Sequence, residues 1–159
     1  MKYKKSIILL IIFISILFFM VYYFNLNYLL LKATDYNHNK VLFSRLVKKG
    51  DSFRLLFQNS ISKTFAEEVY IILDHNKILL DEFRYQSCDA GFPLGIEYDF
   101  SIEDDFMVIR GINKLFSKID NIRIAINYPH YFLLGDFKYN LTEKAPGHIL
   151  EVKTKRIIF

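Results

Sequence analysis

"VYIIL" at residues 69–73, "DHNK" at 74–77 and "ILLDEFRY" at 78–85 decide how this chain is read. Two apolar runs flank four polar residues, and Asp74 and Asn76 tolerate the left-handed backbone that a tight turn needs. The pattern is that of a β-hairpin. Upstream, "VLFSRLV" (41–47), the turn "KKGD" with Gly50, and "SFRLLFQ" (52–58) read as another hairpin. Downstream come "GIEYDFSI", "FMVIR", "IRIAINY", "YFLLGDFKYNL" and "HILEVKTKRII". In "IRIAINY", Ile122, Ile124, Ile126 and Tyr128 line one face and Arg123 and Asn127 the other, the period of a half-buried strand. "INKLFSKID" (112–120) reads as one or two helical turns. β-branched and aromatic residues dominate throughout. The expectation is an all-β domain, a small antiparallel β-sandwich or barrel of seven to nine strands.

One N-terminal transmembrane helix precedes that domain. From Ser6 to Phe24 there is no charge, and from Ile7 to Phe19 every residue except Ser15 is Ile, Leu or Phe. At 1.5 Å per residue the run spans roughly 28 Å, the hydrocarbon thickness of a bilayer. Its twelve large apolar residues favour insertion by roughly 4 to 7 kcal/mol. A cleaved signal peptide is the rival reading. It requires small residues in an A-x-A-like pattern after the apolar core, and "NLNYLLLKATD" lacks them. Lys2, Lys4 and Lys5 precede the helix, so the positive-inside rule puts the N-terminus in the cytoplasm. The organisation expected is a basic cytoplasmic tail (1–5), a signal anchor in the inner membrane (6–24), a juxtamembrane linker (25–39) and an extracytoplasmic β-domain (40–159). "YLLLK" in the linker is expected to extend the helix.

The chain carries a net charge of +4. Setting aside Lys2, Lys4, Lys5 and the juxtamembrane Lys32, 17 of its 21 cations face 17 acids, all from Asp35 onward. A neutral outer domain excludes nucleic-acid binding, which wants a basic stripe. Cys88, the single cysteine, has no internal disulfide partner, and Asp89 beside it opposes the lowered pKa of a nucleophile. The four histidines, His38, His75, His130 and His148, show no metal-ligand spacing apart from His75 following Asp74. Neither metal nor cofactor is expected. Glu67 and Glu68, and Glu103 to Asp105, read as surface acids rather than an acid–base pair. "NLT" at Asn140 is a glycosylation sequon.

Two segments carry a resemblance. "FRLLFQNSISKTFAEEVYII" (53–72) and "LLDEFRYQSCDAGFP" (79–93) resemble a family of small extracytoplasmic proteins, known only as a domain of unknown function, found beside TAXI-type TRAP transporters. Phe53 matches the family's opening aromatic and Phe57 replaces its Tyr. Ser60, Ile61, Thr64 and Glu67 match a Ser, a Val, a Thr and a Glu. Ser87, Ala90, Gly91 and Pro93 match the second motif, and Gly147 suits a glycine before the last strand. Asn59 stands where the family has His, Phe65 where it has Pro, and Asp89 where it has Gly. The loop therefore reads as a backbone device: Asp89 and Gly91 allow unusual φ, and Pro93 stops ladder pairing. Asn59 and Ser60 are expected to hydrogen-bond that loop.

The resemblance implies a non-enzymatic membrane-anchored accessory protein of a TRAP-type solute transporter, its β-domain touching the permease or the substrate-binding protein. The alternative is a membrane-anchored ligand-binding or sensing module unrelated to transport. An envelope enzyme lacks a nucleophile–base constellation. Ser6 to Phe24 contains no Gly or Ala, so self-assembly through the anchor is not expected.

Overall fold

The computed structural model describes residues 2–87 and 99–157. Helix α1 spans Lys2–Asn27. Its large apolar side chains from Ile7 to Phe24 are all exposed, so the helix is apolar on every side and the described residues of this chain do not bury it. It is long and apolar enough to cross a membrane over Ile7–Asn27, and a signal sequence near the N-terminus meets the same description.

Eleven strands follow among the described residues: β1 (Tyr28–Asp35), β2 (Lys40–Lys48), β3 (Ser52–Gln58), β4 (Phe65–Asp74), β5 (Lys77–Tyr85), β6 (Asp99–Glu103), β7 (Phe106–Phe116), β8 (Ile119–Arg123), β9 (His130–Leu134), β10 (Phe137–Asn140) and β11 (Ile149–Lys155). A one-turn helix, α2 (Leu141–Lys144), precedes the last. The strands form two antiparallel sheets, β2-β1-β11-β8 and β10-β9-β3-β4-β5-β7-β6. The fold is an all-β sandwich with an N-terminal helix, as the patterning predicts, but with eleven described strands where seven to nine were expected, since 28–35 adds a strand and 130–140 supplies two.

Alternation decides which side chains meet. Phe53 opposes Tyr70, Leu55 opposes Phe132 and Ile72 opposes Ile78, so these residues share the inner face of the larger sheet. Leu29, Leu31, Ala33, Phe43, Leu150 and Val152 supply the facing layer. The Phe53 and Phe132 rings stack at 4.9 Å, and Phe43 of the smaller sheet lies 4.8 Å from Phe132. Each such buried ring or aliphatic side chain contributes about 1.5–3 kcal/mol. The sheets are also clasped by Thr154 of β11. Its Oγ1 accepts from Asn76 N (3.1 Å) and donates to the Asp74 carbonyl (2.9 Å).

Several expectations change. Residues 28–35 are strand β1, paired with β2 and β11, where a linker and a prolonged helix were expected. Leu29, Leu31 and Ala33 are buried, and that gain outweighs continuing the helix. The hairpin at 69–85 forms, with Asn76 at φ 51° in its turn. The expected hairpin at 41–58 does not. Its strands exist, but β2 lies in one sheet and β3 in the other. Gly50, at φ 92°, swings the chain across, and its N–H donates to the Ile72 carbonyl (2.8 Å). Residues 112–120 are not helical. They finish β7 and start β8, and positive φ at Gly111 and Asn113 breaks the two-residue period there. Ile122 to Tyr128 do not share a strand face. β8 ends at Arg123, leaving Ile124 buried and Ile126 exposed.

Candidate functional site

The β3–β4 connection forms a tight polar loop. Asn59 Oδ1 accepts from the N–H groups of Ile61 (2.8 Å) and Ser62 (3.4 Å). The Asn59 N–H donates to the Thr64 carbonyl (2.8 Å), and the Ser62 and Thr64 hydroxyls bond each other at 2.7 Å. Asn59 is therefore the clip of its own loop. The expected bonds from Asn59 and Ser60 to the loop at 88–93 fall on a segment outside the described residues. Among the described residues, the two family-like segments meet through Phe65 and Gln86, which exchange bonds of 2.9 and 3.1 Å.

Across from this loop runs the segment 124–129. Lys63 spans the gap. Its Nζ donates to Tyr128 Oη (2.6 Å) and to the Ser60 carbonyl (2.5 Å). The segment is braced from behind. Thr142 Oγ1 donates to the Tyr128 carbonyl (2.7 Å), and Ile124 N–H donates to the His148 carbonyl (2.8 Å). Gly147, at φ 75°, is required here: a Cβ on it would lie 3.2 Å from Ile126 Cγ1.

Between the walls lies a groove of about 490 Å³, lined by residues 57–61 and 123–128. It continues into a cleft of about 200 Å³ lined by Phe57, Gln58, Glu68, Ile122, Arg123, Ala125 and His130. The strand register builds the floor: Phe57 opposes both Ala66 and His130, and Leu55 opposes Glu68. His130 is 4% exposed. Burial pushes its pKa down to about 4, and among the described residues its Nε2 has no hydrogen-bond partner. Burial raises the Glu68 carboxyl, opposed by the Tyr70 hydroxyl, which donates to it at 2.7 Å. A neutral imidazole, a carboxyl raised by burial, Gln58 and the Arg123 guanidinium, set among Phe57, Ile122 and Ala125, suit binding of a small group that has both apolar and polar parts.

Of the sequence-singled residues, Asn59, Ser60, Ile61 and Thr64 come together on the loop, with Ile61 78% exposed at the groove rim. Glu67 points to the opposite face of the larger sheet. There it joins an ion-pair ladder, 3.0 Å from Arg54 and 3.9 Å from Arg84. Glu82 continues the ladder to Arg84 and Arg110, and Arg110 grips Glu103 through bonds of 2.6 and 2.7 Å that hold its carboxyl down to about 2. Glu67 thus reads as structural. Ser87 follows the Gln86 contact outside any strand. Cys88, Asp89, Ala90, Gly91 and Pro93 lie outside the described residues. Asn140 caps α2, its Oδ1 accepting from Glu143 N–H at 3.1 Å.

The sequence reading missed His130 and the half-buried Glu68. It also missed a cluster at the β1–β2 turn. Asp35, His38 and His148 place ligand-type atoms within 4.8 Å of one another. Asp35 Oδ2 meets the Nδ1 atoms of His38 (2.9 Å) and His148 (2.8 Å), and Oδ1 accepts from Asn37 N–H (3.0 Å). Burial raises the Asp35 pKa, but the bonds from His38 and His148 outweigh it and leave the carboxyl below its usual range. The Asp35-x-x-His38 spacing was the one signal available.

Residues 53–141, more than half of the chain, match the family model described as Domain of unknown function (DUF1850). No curated protein and no solved structure matches the chain.

Proposed function

We propose a function for this chain as a member of the DUF1850 family, to which it belongs: it is a non-enzymatic, membrane-anchored accessory protein of a TAXI-type TRAP solute transporter. Its extracytoplasmic sandwich grips a transporter component at the groove. The carrying observation is the pair of exposed isoleucines at the rim, Ile61 (78%) and Ile126 (65%), held on two braced walls. The groove also sits far from the anchor. The α1 end meets the β2–β3 turn through Asn27 and Lys49 (2.9 Å). β3 then carries the chain seven residues away, about 20 Å at strand rise. That reach favours the substrate-binding protein over the permease mouth. The TRAP assignment itself rests on the resemblance of the two segments.

Photocrosslinkers at positions 61 and 126 of the full chain test this, in membranes containing the permease and its binding protein. Capture of the binding protein, lost in an Ile61→Asp, Ile126→Asp variant that melts normally, is expected. Capture of lipid alone or of a second copy of this chain would refute the proposal.

The buried, unpartnered Nε2 of His130 favours a second reading, a module that binds a small ligand in the cleft. An Ala125→Phe substitution fills that space. Under this reading, a solute that raises the melting temperature of the wild type fails to raise that of the variant. Equal shifts in both would exclude the cleft.

A further inference from the structure

We propose that Asp35, His38 and His148 form a binding site for a divalent transition-metal cation of the zinc class. Three chain segments converge there: the end of β1, the β1–β2 turn and the residue before β11. Two imidazoles and one carboxylate are the donor set that borderline cations prefer. Both histidines present the same atom, Nδ1, to the same oxygen, Asp35 Oδ2, at 2.9 and 2.8 Å. Ligand atoms around a tetrahedral zinc ion, bonded at about 2.0–2.2 Å, sit about 3.3 Å apart. Opening each contact by about half an ångström through side-chain rotation would admit the ion.

The supporting groups already fix the ligands. Oδ1 of Asp35 is held by the Asn37 and His38 amides at 3.0 and 3.4 Å, which turns Oδ2 toward the imidazoles. His148 is anchored on both sides. Ile149 N–H donates to Asn37 Oδ1 (2.7 Å), and the His148 carbonyl accepts from Ile124 N–H (2.8 Å). Such outer contacts orient ligands and tighten metal binding. His38, 61% exposed, leaves a solvent-facing side where a fourth ligand completes the sphere. Because His148 also braces the segment 124–129, the bound ion would tie the β1–β2 turn to the groove wall.

The test uses the full chain in detergent micelles with no histidine tag. Zn²⁺ is measured by equilibrium dialysis, and Co²⁺ by its visible ligand-field absorption. One ion per chain is expected in the wild type and in His75→Ala, whose imidazole lies elsewhere, against the Thr154 carbonyl. His38→Ala and His148→Ala should each weaken binding at least about tenfold, and Zn²⁺ should raise the melting temperature of the wild type and of His75→Ala well above any shift in the two ligand variants. His38 is exposed and tolerates truncation, so its variant carries the test even if His148→Ala unfolds. Absence of stoichiometric binding in the wild type, or wild-type affinity in His38→Ala, would overturn the proposal.

Discussion

His130 should make this protein lose stability on acidification, beside the carboxylates that ion pairs hold down. It is buried at the cleft floor beside Phe57, their rings 5.7 Å apart, and burial lowers its pKa from 6.5 to about 4. A base with a depressed folded-state pKa contributes stability that is complete above its unfolded value. That stability is lost as pH falls from 6.5 toward 4, because the unfolded chain takes up a proton that the folded chain refuses. The separation is about 2.5 units, and at 1.36 kcal/mol per unit the loss is about 3 kcal/mol. His130→Phe keeps an aromatic ring against Phe57 and removes the titration. Urea unfolding of the full chain in micelles, followed by near-ultraviolet dichroism of the tyrosines, gives both stabilities between pH 7.5 and 4. The variant should gain on the wild type steadily below about pH 6.5, by about 3 kcal/mol at pH 4. Repeating the pair in a Glu68→Gln background removes the neighbouring carboxyl from the comparison. A gap that stays constant across the range would refute the argument, since it would mean that His130 protonates in the folded protein as it does in the unfolded one.

Glu68 has the opposite sign. Its carboxyl is raised above 4.5, so its stabilising contribution is complete below that pH and lost as pH rises through the folded value. Glu68→Gln, whose amide oxygen still accepts from Tyr70, should unfold at higher urea than the wild type at pH 7.5 and at the same urea at pH 4. Equal midpoints at both values would show a solvated carboxylate. Thr154→Val removes the hydroxyl clasp between the sheets and leaves the Asn76 N–H and the Asp74 carbonyl without it. It should cost about 1–3 kcal/mol by urea unfolding, and a neutral result would mean that water replaces the hydroxyl.

Much of the architecture was legible in residue order. The uncharged run from Ser6 to Phe24 specifies an apolar helix, because apart from four hydroxyls its side chains offer water no hydrogen bond, and a helix satisfies its backbone internally. "VYIIL-DHNK-ILLDEFRY" specifies a hairpin, because Asn76 can take positive φ and the flanking runs are too apolar to stay exposed. "SFRLLFQ" and "VLFSRLV" specify strands. None of these patterns names a partner. A two-residue period says which side chains share a face, and many pairings satisfy it equally. β2 and β3 therefore looked like a hairpin until sheet packing placed them in different layers. "YLLLK" looked like helix until β2 and β11 offered it edges and buried Leu29 and Leu31. Bulges at Gly111 and Asn113 disguised a strand as a helical turn.

The sites were less legible still. The clip made by Asn59 is local, and its loop was found, but the face taken by Glu67 depends on the register of β4 against β3 and β5. His130 is unremarkable in sequence. Its pKa follows from burial between two sheets, which no neighbouring residue announces. Asp35 and His148 are 113 positions apart, and they meet because β1 and β11 pair antiparallel with Asp35 opposite Leu150. Composition and period, set by short-range chemistry, determined the helix, the strands and the turns. Contacts between distant segments, set by which apolar faces bury each other best, decided the groove and the aspartate–histidine cluster.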